Sequence, residues 1–192
     1  MNSLYPKLSM TQARSAKSPQ QAVVKTASRN GAAKPDALST SARRPGPSVV
    51  VKRSGVHGKG VFANRDFKRG EVIIEYKGEI ITWDEALRRH PHDPSDPNHT
   101  FYFHLDDQFV IDGKHHGNAA KWINHACAPN CEADQQGNKV FIKARRAIKA
   151  GTELFYDYGL VIDEPLTAKL KKEYRCLCGS PKCRGTLLVG RM

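Results

Sequence analysis

The chain has 192 residues with 31 Lys and Arg against 19 Asp and Glu, a formal net charge of +12. That length suits one domain with an extension, and the apolar runs fall far short of the roughly 18 residues that span a bilayer, so we expect no membrane association. All five cysteines lie between residues 127 and 183. Their odd count and close spacing argue against a disulfide framework and favour metal-bound thiolates in a reducing intracellular compartment, the cytoplasm or the nucleus.

Residues 1–48 differ in composition from the rest of the chain. They hold eight Lys or Arg against one acid, Asp36, and a single aromatic residue, Tyr5. Too little apolar surface is present to offset the entropy of ordering, so we predict a disordered basic arm. The arm either contacts nucleic acid or an acidic partner, or is a passive tail. An organelle transit peptide is less well supported, because Pro6 and Pro19 interrupt any long amphipathic helix.

From residue 49 to residue 160, short β-branched or apolar runs alternate with glycine turns, which is typical of a mostly β domain. Thr82 and Glu85 have the spacing of a capping box, which predicts a helix that Pro91 ends. The proline-rich residues 90–100 are predicted to form an exposed loop. The predicted strands are 49–52, 61–63, 72–76, 79–81, 101–105, 109–111, 140–144 and 153–156.

Four motifs stand out from this pattern. The stretch 121–131, KWINHACAPNC, packs an apolar pair, an Asn-His pair and two thiols into eleven residues. It follows a glycine loop, SGVHGKG at 54–60, and precedes the aromatic run FYDY at 155–158 and the group CLCGSPKC at 176–183. Taken singly, Gly-x-Gly is typical of a tight turn, and an Asn-His pair is most often a hydrogen-bonded structural feature.

Together, Asn-His-x-Cys, Tyr-Asp-Tyr and Cys-x-Cys-x4-Cys in this order resemble the SET-domain protein-lysine methyltransferases with a post-SET zinc motif. The resemblance covers residues 49–188, and HGNAAKWINHACAPNC looks closest to the trithorax-type histone H3 methyltransferases. It implies a mostly β SET-domain fold of short curved sheets with a C-terminal pseudoknot. It also implies a linker helix at 161–172 and a small zinc-binding post-SET segment at 173–192.

The resemblance further implies S-adenosylmethionine as cofactor and a lysine-rich, histone or histone-like protein as substrate. At Phe101, an ungapped match departs from the family, which often has a tyrosine there. A non-catalytic, zinc-stabilised basic module that binds nucleic acid or lysine-rich tails is the competing interpretation. The cofactor contacts carried over from the family are His57, Gly58, Lys59, Gly60, Phe101, Asn124, His125 and Tyr158.

By the same resemblance, Tyr158 is the catalytic tyrosine, and Tyr76 and Tyr156 are the other tyrosines of a lysine channel. Methyl transfer from a sulfonium to an amine requires in-line alignment and an uncharged lysine, which an apolar, aromatic channel favours. Alternatively, all three are ordinary strand aromatics with a polar tip. Tyr156 occupies the position that controls product in the family, which predicts mainly mono- to dimethylation.

Four of the cysteines are implied to bind zinc: Cys127, Cys176, Cys178 and Cys183. Tetrahedral zinc takes four thiolates at about 2.3 Å, and Cys-x-Cys spacing suits that geometry. Cys131 is then left outside the site, although it lies close enough to Cys127 in sequence to exchange roles with it. His115 and His116 offer an alternative ligand set, but adjacent residues rarely face one metal.

Overall fold

The computed structural model of the chain describes residues 46–90, 100–162 and 165–189, and the backbone of residues 9–10. The described helices are α1 Trp83–Arg89, α2 Ala168–Glu173 and a 3-10 helix at Ala119–Trp122. The strands are β1 Ser9–Met10, β2 Val49–Arg53, β3 Lys59–Ala63, β4 Val72–Tyr76, β5 Glu79–Thr82, β6 Tyr102–His104, β7 Phe109–Asp112, β8 Asn124–His125, β9 Cys131–Gln136, β10 Lys139–Ala144, β11 Phe155–Tyr156 and β12 Leu160–Val161.

The strands form several small sheets. Strands β4, β10 and β9 make one antiparallel sheet in that order, and β5, β7 and β6 make a second. Strands β2 and β3 form an antiparallel pair, β8 and β11 a parallel pair, and β1 and β12 an antiparallel pair. The predicted mostly β fold of short sheets is therefore confirmed. No helix of the described ranges is long and apolar enough to cross a membrane.

Strand β10 shows how the sequence pattern generates the core. Val140, Ile142 and Ala144 alternate with Phe141 and Lys143, and all three are completely buried, whereas their two neighbours are only partly so. Successive side chains of a strand point to opposite faces, so the three small apolar residues share the buried face of the sheet. The same alternation predicts the strand correctly from sequence.

The sequence does not predict β9, because Glu, Asp and Gln are poor strand formers. The strand forms because a two-residue turn, Gly137-Asn138, places Gln136 directly opposite Lys139, and the ladder then continues along β10. Gly137 has a φ of 59°, which glycine adopts without steric cost. Pairing with a strongly apolar partner strand here outweighs weak local propensity.

Helix α1 begins where the capping pattern predicts. The backbone N–H of Glu85 donates to Thr82 Oγ1 at 3.2 Å, as expected for an N-cap. The Glu85 carboxylate accepts from Arg89 Nε at 2.7 Å, so this side chain is used within the helix and the capping box is one-sided. The helix ends at Arg89, and His90 is extended, the conformation favoured before Pro91.

A parallel pair brings two distant segments together. Asn124 lies opposite Phe155, and His125 lies opposite Tyr156. Asn130, buried nearby, strengthens this contact because its Oδ1 accepts from the backbone N–H of Phe155 at 2.8 Å. The Asn-His motif is thereby held beside the aromatic run, the contact on which the predicted pseudoknot depends.

The C-terminal segment, residues 165–189, has a small apolar cluster of its own around Tyr174 and Leu188, with Ile162. Its helix α2 begins at Ala168, later than the predicted linker helix 161–172, because Leu160–Val161 pairs as a strand and Thr167 is the N-cap. The predicted basic arm and the predicted loop fall almost entirely on residues 1–8, 11–45 and 91–99, outside the described residues. Within that arm, Ser9–Met10 forms β1.

Candidate active site and metal centre

A cavity of about 390 Å³ lies where the glycine loop, the Asn-His pair and the aromatic run meet. One wall is the loop at residues 56–59, and another is formed by residues 173–177 and Leu187 of the C-terminal segment. Its volume lies within the range of small-molecule sites, about 300–1,000 Å³. Six aromatic residues face it: Tyr76, Tyr102, Trp122, Tyr156, Tyr158 and Tyr174.

The three predicted channel tyrosines lie together in this cavity. The Tyr156 and Tyr158 rings are 4.9 Å apart between centroids, and both Tyr76 and Tyr156 are 4% exposed. Burial raises the pKa of all three hydroxyls, and at Tyr76 and Tyr156 the neighbouring Tyr158 adds to that effect. All three therefore remain neutral phenols at physiological pH, able to donate or accept a hydrogen bond but not to act as anions.

The hydroxyls differ in how they are used. Tyr158 Oη donates to the Ile123 carbonyl at 2.8 Å, and Tyr76 Oη donates to the Phe101 carbonyl at 2.8 Å. Within the described part of the chain, the Tyr156 hydroxyl has no such bond to another residue. Two hydroxyls are thus fixed by backbone carbonyls, and the third is available to whatever enters the cavity.

The glycine loop is held in place by Asn124. Its Nδ2 donates to the carbonyls of His57 at 3.1 Å and Lys59 at 2.9 Å. Gly58 has a φ of 47°, and a Cβ at buried Gly60 would lie 2.1 Å from Glu153 Oε1. Gly58 therefore suits this loop conformation through its φ, whereas a side chain at position 60 would require the Glu153 carboxylate to move.

The predicted cofactor residues are distributed unevenly around the cavity. His57, Gly58, Lys59, Asn124, His125 and Tyr158 line it. Gly60 and Phe101 are not among its lining residues in the described structure, where Thr100 and Tyr102 line it instead. Phe101 packs edge to face on Trp122 with centroids 4.9 Å apart, and so supports the wall from behind.

Sequence reasoning missed Trp122 and Lys121 as lining residues. Lys59 Nζ lies 4.5 Å from the Trp122 ring centroid, and Lys121 Nζ lies 5.5 Å from the same centroid. Two cations therefore lie within cation–π distance of one indole ring beside the glycine loop. No strand alternation could have indicated Trp122, because it ends the 3-10 helix Ala119–Trp122 and β8 begins only at Asn124.

Four thiols meet beside the cavity. The Sγ atoms of Cys127, Cys176, Cys178 and Cys183 all lie within 4.8 Å of one another. Cys127 Sγ is 3.7 Å from Cys176 Sγ and 3.9 Å from Cys183 Sγ, close to the edge of about 3.8 Å in a tetrahedron with 2.3 Å bonds to zinc. The donor set and its spacing therefore fit a structural zinc ion.

The thiols differ in how readily they lose a proton. Burial raises the pKa of both Cys127 and Cys176, so neither loses its proton readily without a nearby cation. At Cys178, burial acts to raise the pKa, but hydrogen bonds lower it more, to about 7. Cys131 lies outside this cluster, buried, and burial raises its pKa to about 12.

His125 connects the thiols to the tyrosines. Its Nδ1 accepts from the backbone N–H of Tyr158 at 3.1 Å, and burial lowers the pKa of this histidine to about 4. A neutral ring that accepts at Nδ1 carries its proton on Nε2, which faces Cys127 Sγ at 3.3 Å. His125 thus donates to one thiol and fixes the backbone of Tyr158, the kind of outer contact that orients metal ligands.

Comparison with known proteins assigns this architecture to a family. The family model described as "SET domain" matches residues 58–159, just over half of the chain. The chain is 38% identical over 140 residues to the histone-lysine N-methyltransferase trithorax of Drosophila virilis, covering 71% of this chain and 4% of that protein. It is 37% identical over 141 residues to histone-lysine N-methyltransferase 2B of Homo sapiens, covering 71% and 5%. The chain therefore spans a small fraction of the length of these relatives.

A solved structure agrees. The complex described as ctPRC2 in an autoinhibited conformation bound to S-adenosylmethionine is similar with a TM-score of 0.53 and 32% identity, covering 59% of this chain and 15% of that one. The expected SET-type fold and the resemblance to trithorax-type proteins are confirmed by these matches.

Proposed function

The chain belongs to the SET-domain family, and from that premise we propose that it is a protein-lysine N-methyltransferase dependent on S-adenosylmethionine. One observation carries the proposal: a single cavity is lined by the glycine loop with Asn124 and His125, and also by three clustered tyrosines, of which Tyr76 and Tyr156 are buried. A site that only binds a cation or a nucleic acid does not require three neutral phenols beside a small-molecule pocket. The relatives named as histone-lysine methyltransferases support the same chemistry.

In this proposal the cofactor lies against His57, Gly58 and Lys59, with Asn124 and His125 beside it. The fit rests on the loop conformation and on charge, because Lys59 and Lys121 offer cations to a carboxylate at this end of the cavity. When bound, S-adenosylmethionine supplies an electrophilic methyl group. The protein's task is then to hold an amine in line with it, about 3 to 3.5 Å away.

The tyrosines are proposed to prepare the substrate lysine. A free lysine has a pKa near 10.4, so its neutral form costs about 4 kcal/mol at pH 7.4. Buried aromatic walls disfavour the ammonium and so recover part of that cost. Tyr158, held by Ile123 and by His125, presents its hydroxyl at a fixed point, and Tyr76 is held in the same way through the Phe101 carbonyl.

Tyr156 is proposed to limit how many methyl groups are added. Its hydroxyl has no bonded partner in the described structure, so it can hold a water or the lysine amine itself. Displacing an ordered water with a methyl that cannot replace its hydrogen bonds is unfavourable. The enzyme is therefore expected to produce mainly mono- and dimethyl-lysine.

We propose zinc as the resident metal of the four thiolates, with a structural role that keeps the C-terminal wall of the cavity in place. The substrate is proposed to be a lysine-rich, histone or histone-like protein, and the compartment one that contains such proteins and keeps thiols reduced. A contact of the basic arm with nucleic acid is proposed from its charge alone.

The test is a transfer assay on the full chain. Methyl-labelled S-adenosylmethionine is incubated with a panel of basic proteins that includes histones, and the labelled residues are mapped by mass spectrometry. Label on lysine in at least one protein is expected. No label in any of them, together with no measurable cofactor binding, would overturn the proposal in favour of a non-catalytic binding module.

A further inference from the structure

We propose that Arg184 is a positioning residue that transmits the order of the metal-bound segment to Tyr158 through Asp157. The inference rests on the proposed methyltransferase function. Arg184 Nη1 donates to Asp157 Oδ2 at 2.6 Å, and Nη2 donates to Asp157 Oδ1 at 2.7 Å. This two-point contact fixes the mutual orientation of both groups, which a single charge contact does not. Asp157 lies between Tyr156 and Tyr158 in the chain.

The guanidinium is anchored on its other side by the C-terminal segment. Its Nε donates to the Thr186 carbonyl at 3.0 Å, and Nη2 donates to the Leu187 carbonyl at 3.0 Å. The backbone N–H of Arg184 also points to Cys127 Sγ at 3.5 Å. A single residue therefore contacts a metal-site thiol, the segment that closes the cavity, and the aspartate beside the proposed catalytic tyrosine.

Asp157 passes this restraint to its neighbours. Its Oδ1 accepts from the backbone N–H of Gly159 at 3.0 Å, which closes a tight turn around Tyr158. Arg184 and Asp157 are 27% and 36% exposed at their side chains, so their pairing is expected to contribute little to global stability. The pair is expected to matter because it fixes the position of Tyr158, and a misplacement of about 1 Å in a catalytic group can cost about a hundredfold in rate.

The test compares Arg184→Lys, which keeps the charge but loses the fork, with Asp157→Asn and with the double variant Arg184→Lys/Asp157→Asn. Lys182→Ala is the matched control, an exposed cation beside Cys183 outside the cavity. Zinc content, thermal midpoint, kcat and KM are measured for each, along with hydrogen exchange of the peptide spanning residues 156–160.

Each single variant is expected to keep its zinc and midpoint, lose about tenfold to a hundredfold in kcat with little change in KM, and exchange faster at 156–160. Because both single variants break the same contact, the double variant is expected to lose little more than the worse single variant. Wild-type exchange and kcat in both single variants would overturn the inference, as would losses that merely follow zinc loss. If the wild type itself transfers no methyl group, the proposed function fails, and hydrogen exchange alone then decides on Arg184.

Discussion

The β core and the C-terminal segment are held together by different means. Among the described residues, the core cluster contains eighteen buried members, including Val61, Ile142 and Leu154 at 0% exposure, whereas the C-terminal cluster around Tyr174 contains three. The only helix described in that segment, α2, is six residues long and has no buried residue. Isolated helices this short are unstable in water, so the segment depends on other restraints.

The β core therefore determines the fold, whereas the cavity is complete only when the C-terminal segment is also in place. The tyrosines lie in the core or against it, but one wall of the cavity belongs to the C-terminal segment, whose three thiols meet Cys127. Structural zinc contributes on the order of 10 kcal/mol to folding in small zinc-binding peptides, far more than three buried side chains provide against chain entropy. Methyl transfer is thus expected to be lost in the core when a tyrosine hydroxyl is removed, and in the C-terminal segment when that segment becomes disordered.

The largest effect is expected at the core. Replacing Tyr158 by Phe removes the hydroxyl that donates to the Ile123 carbonyl, and is expected to lower methyl transfer by roughly a hundredfold or more, as loss of one preorganised hydrogen-bonding group does. Single-turnover transfer and the thermal midpoint are measured together. Transfer above about one tenth of wild type would show that Tyr158 is not the catalytic tyrosine.

The next effect belongs to the segment. Cys176→Ser is expected to release zinc and abolish most turnover, while the β core still melts cooperatively near the wild-type midpoint. Cys131→Ser is the matched control: it is expected to keep one zinc per chain, although a polar hydroxyl in its buried site costs about 1–3 kcal/mol. Zinc loss in Cys131→Ser, or a full metal complement in Cys176→Ser, would contradict the assignment of Cys176, and not Cys131, to the zinc site.

A product change without loss of activity is expected at Tyr156. Removing its hydroxyl in Tyr156→Phe makes room for a methylated amine, and a gain of about 1.4 kcal/mol per added methyl is about tenfold in rate. Long incubations followed by mass spectrometry are expected to give mono- and dimethyl-lysine from the wild type, and di- and trimethyl-lysine from the variant. Dominant trimethyl-lysine from the wild type would refute this role.

A smaller effect is expected in the glycine loop. Gly60→Ala places a methyl where Glu153 Oε1 now lies, so the carboxylate must move away from Asn124 and the loop loosens. Cofactor affinity is expected to fall about fivefold, which is about 1 kcal/mol. Gly55→Ala is the control, because a Cβ there meets nothing within 4 Å. Equal cofactor affinities in the two variants, measured by calorimetry, would show that the loop does not belong to the cofactor site.

The smallest effect is expected from the basic arm. Neutralising the eight Lys and Arg of residues 1–48, which leaves β1 in place, is expected to raise the apparent KM for a DNA-bound substrate modestly at low salt, and to have no effect at high salt, since screening removes long-range attraction. Steady-state kinetics at two salt concentrations measure it. Identical KM values at low salt would make the arm a passive tail.

Sequence reasoning succeeded for motifs whose residues lie close together in the chain. Cys176, Cys178 and Cys183 and the run containing Tyr156 and Tyr158 need only a few residues to be recognised, and the alternation in β10 needs six. It failed where long-range pairing decides the outcome. Strand β9 has little strand propensity, and the parallel pair of β8 with β11 joins residues 31 positions apart in the chain.

The wall of the cavity illustrates the same limit. Phe101 is adjacent to the lining residues Thr100 and Tyr102 in sequence, but only the structure reveals that it packs behind Trp122 instead. Likewise, Arg184 and Asp157 are 27 positions apart in the chain, and no local sequence pattern predicts their contact. Residue type and spacing identify a chemical group, whereas tertiary packing determines which atoms it meets.

Hydrogen exchange on the full chain, with zinc bound and after chelation, tests the division between core and segment most directly. Chelation is expected to remove protection from residues 157–161 and 165–189, while β4, β10 and β9 keep theirs, and methyl transfer is expected to fall in the same sample. Equal loss of protection in the β4-β10-β9 sheet, or unchanged protection in the C-terminal segment, would contradict the account.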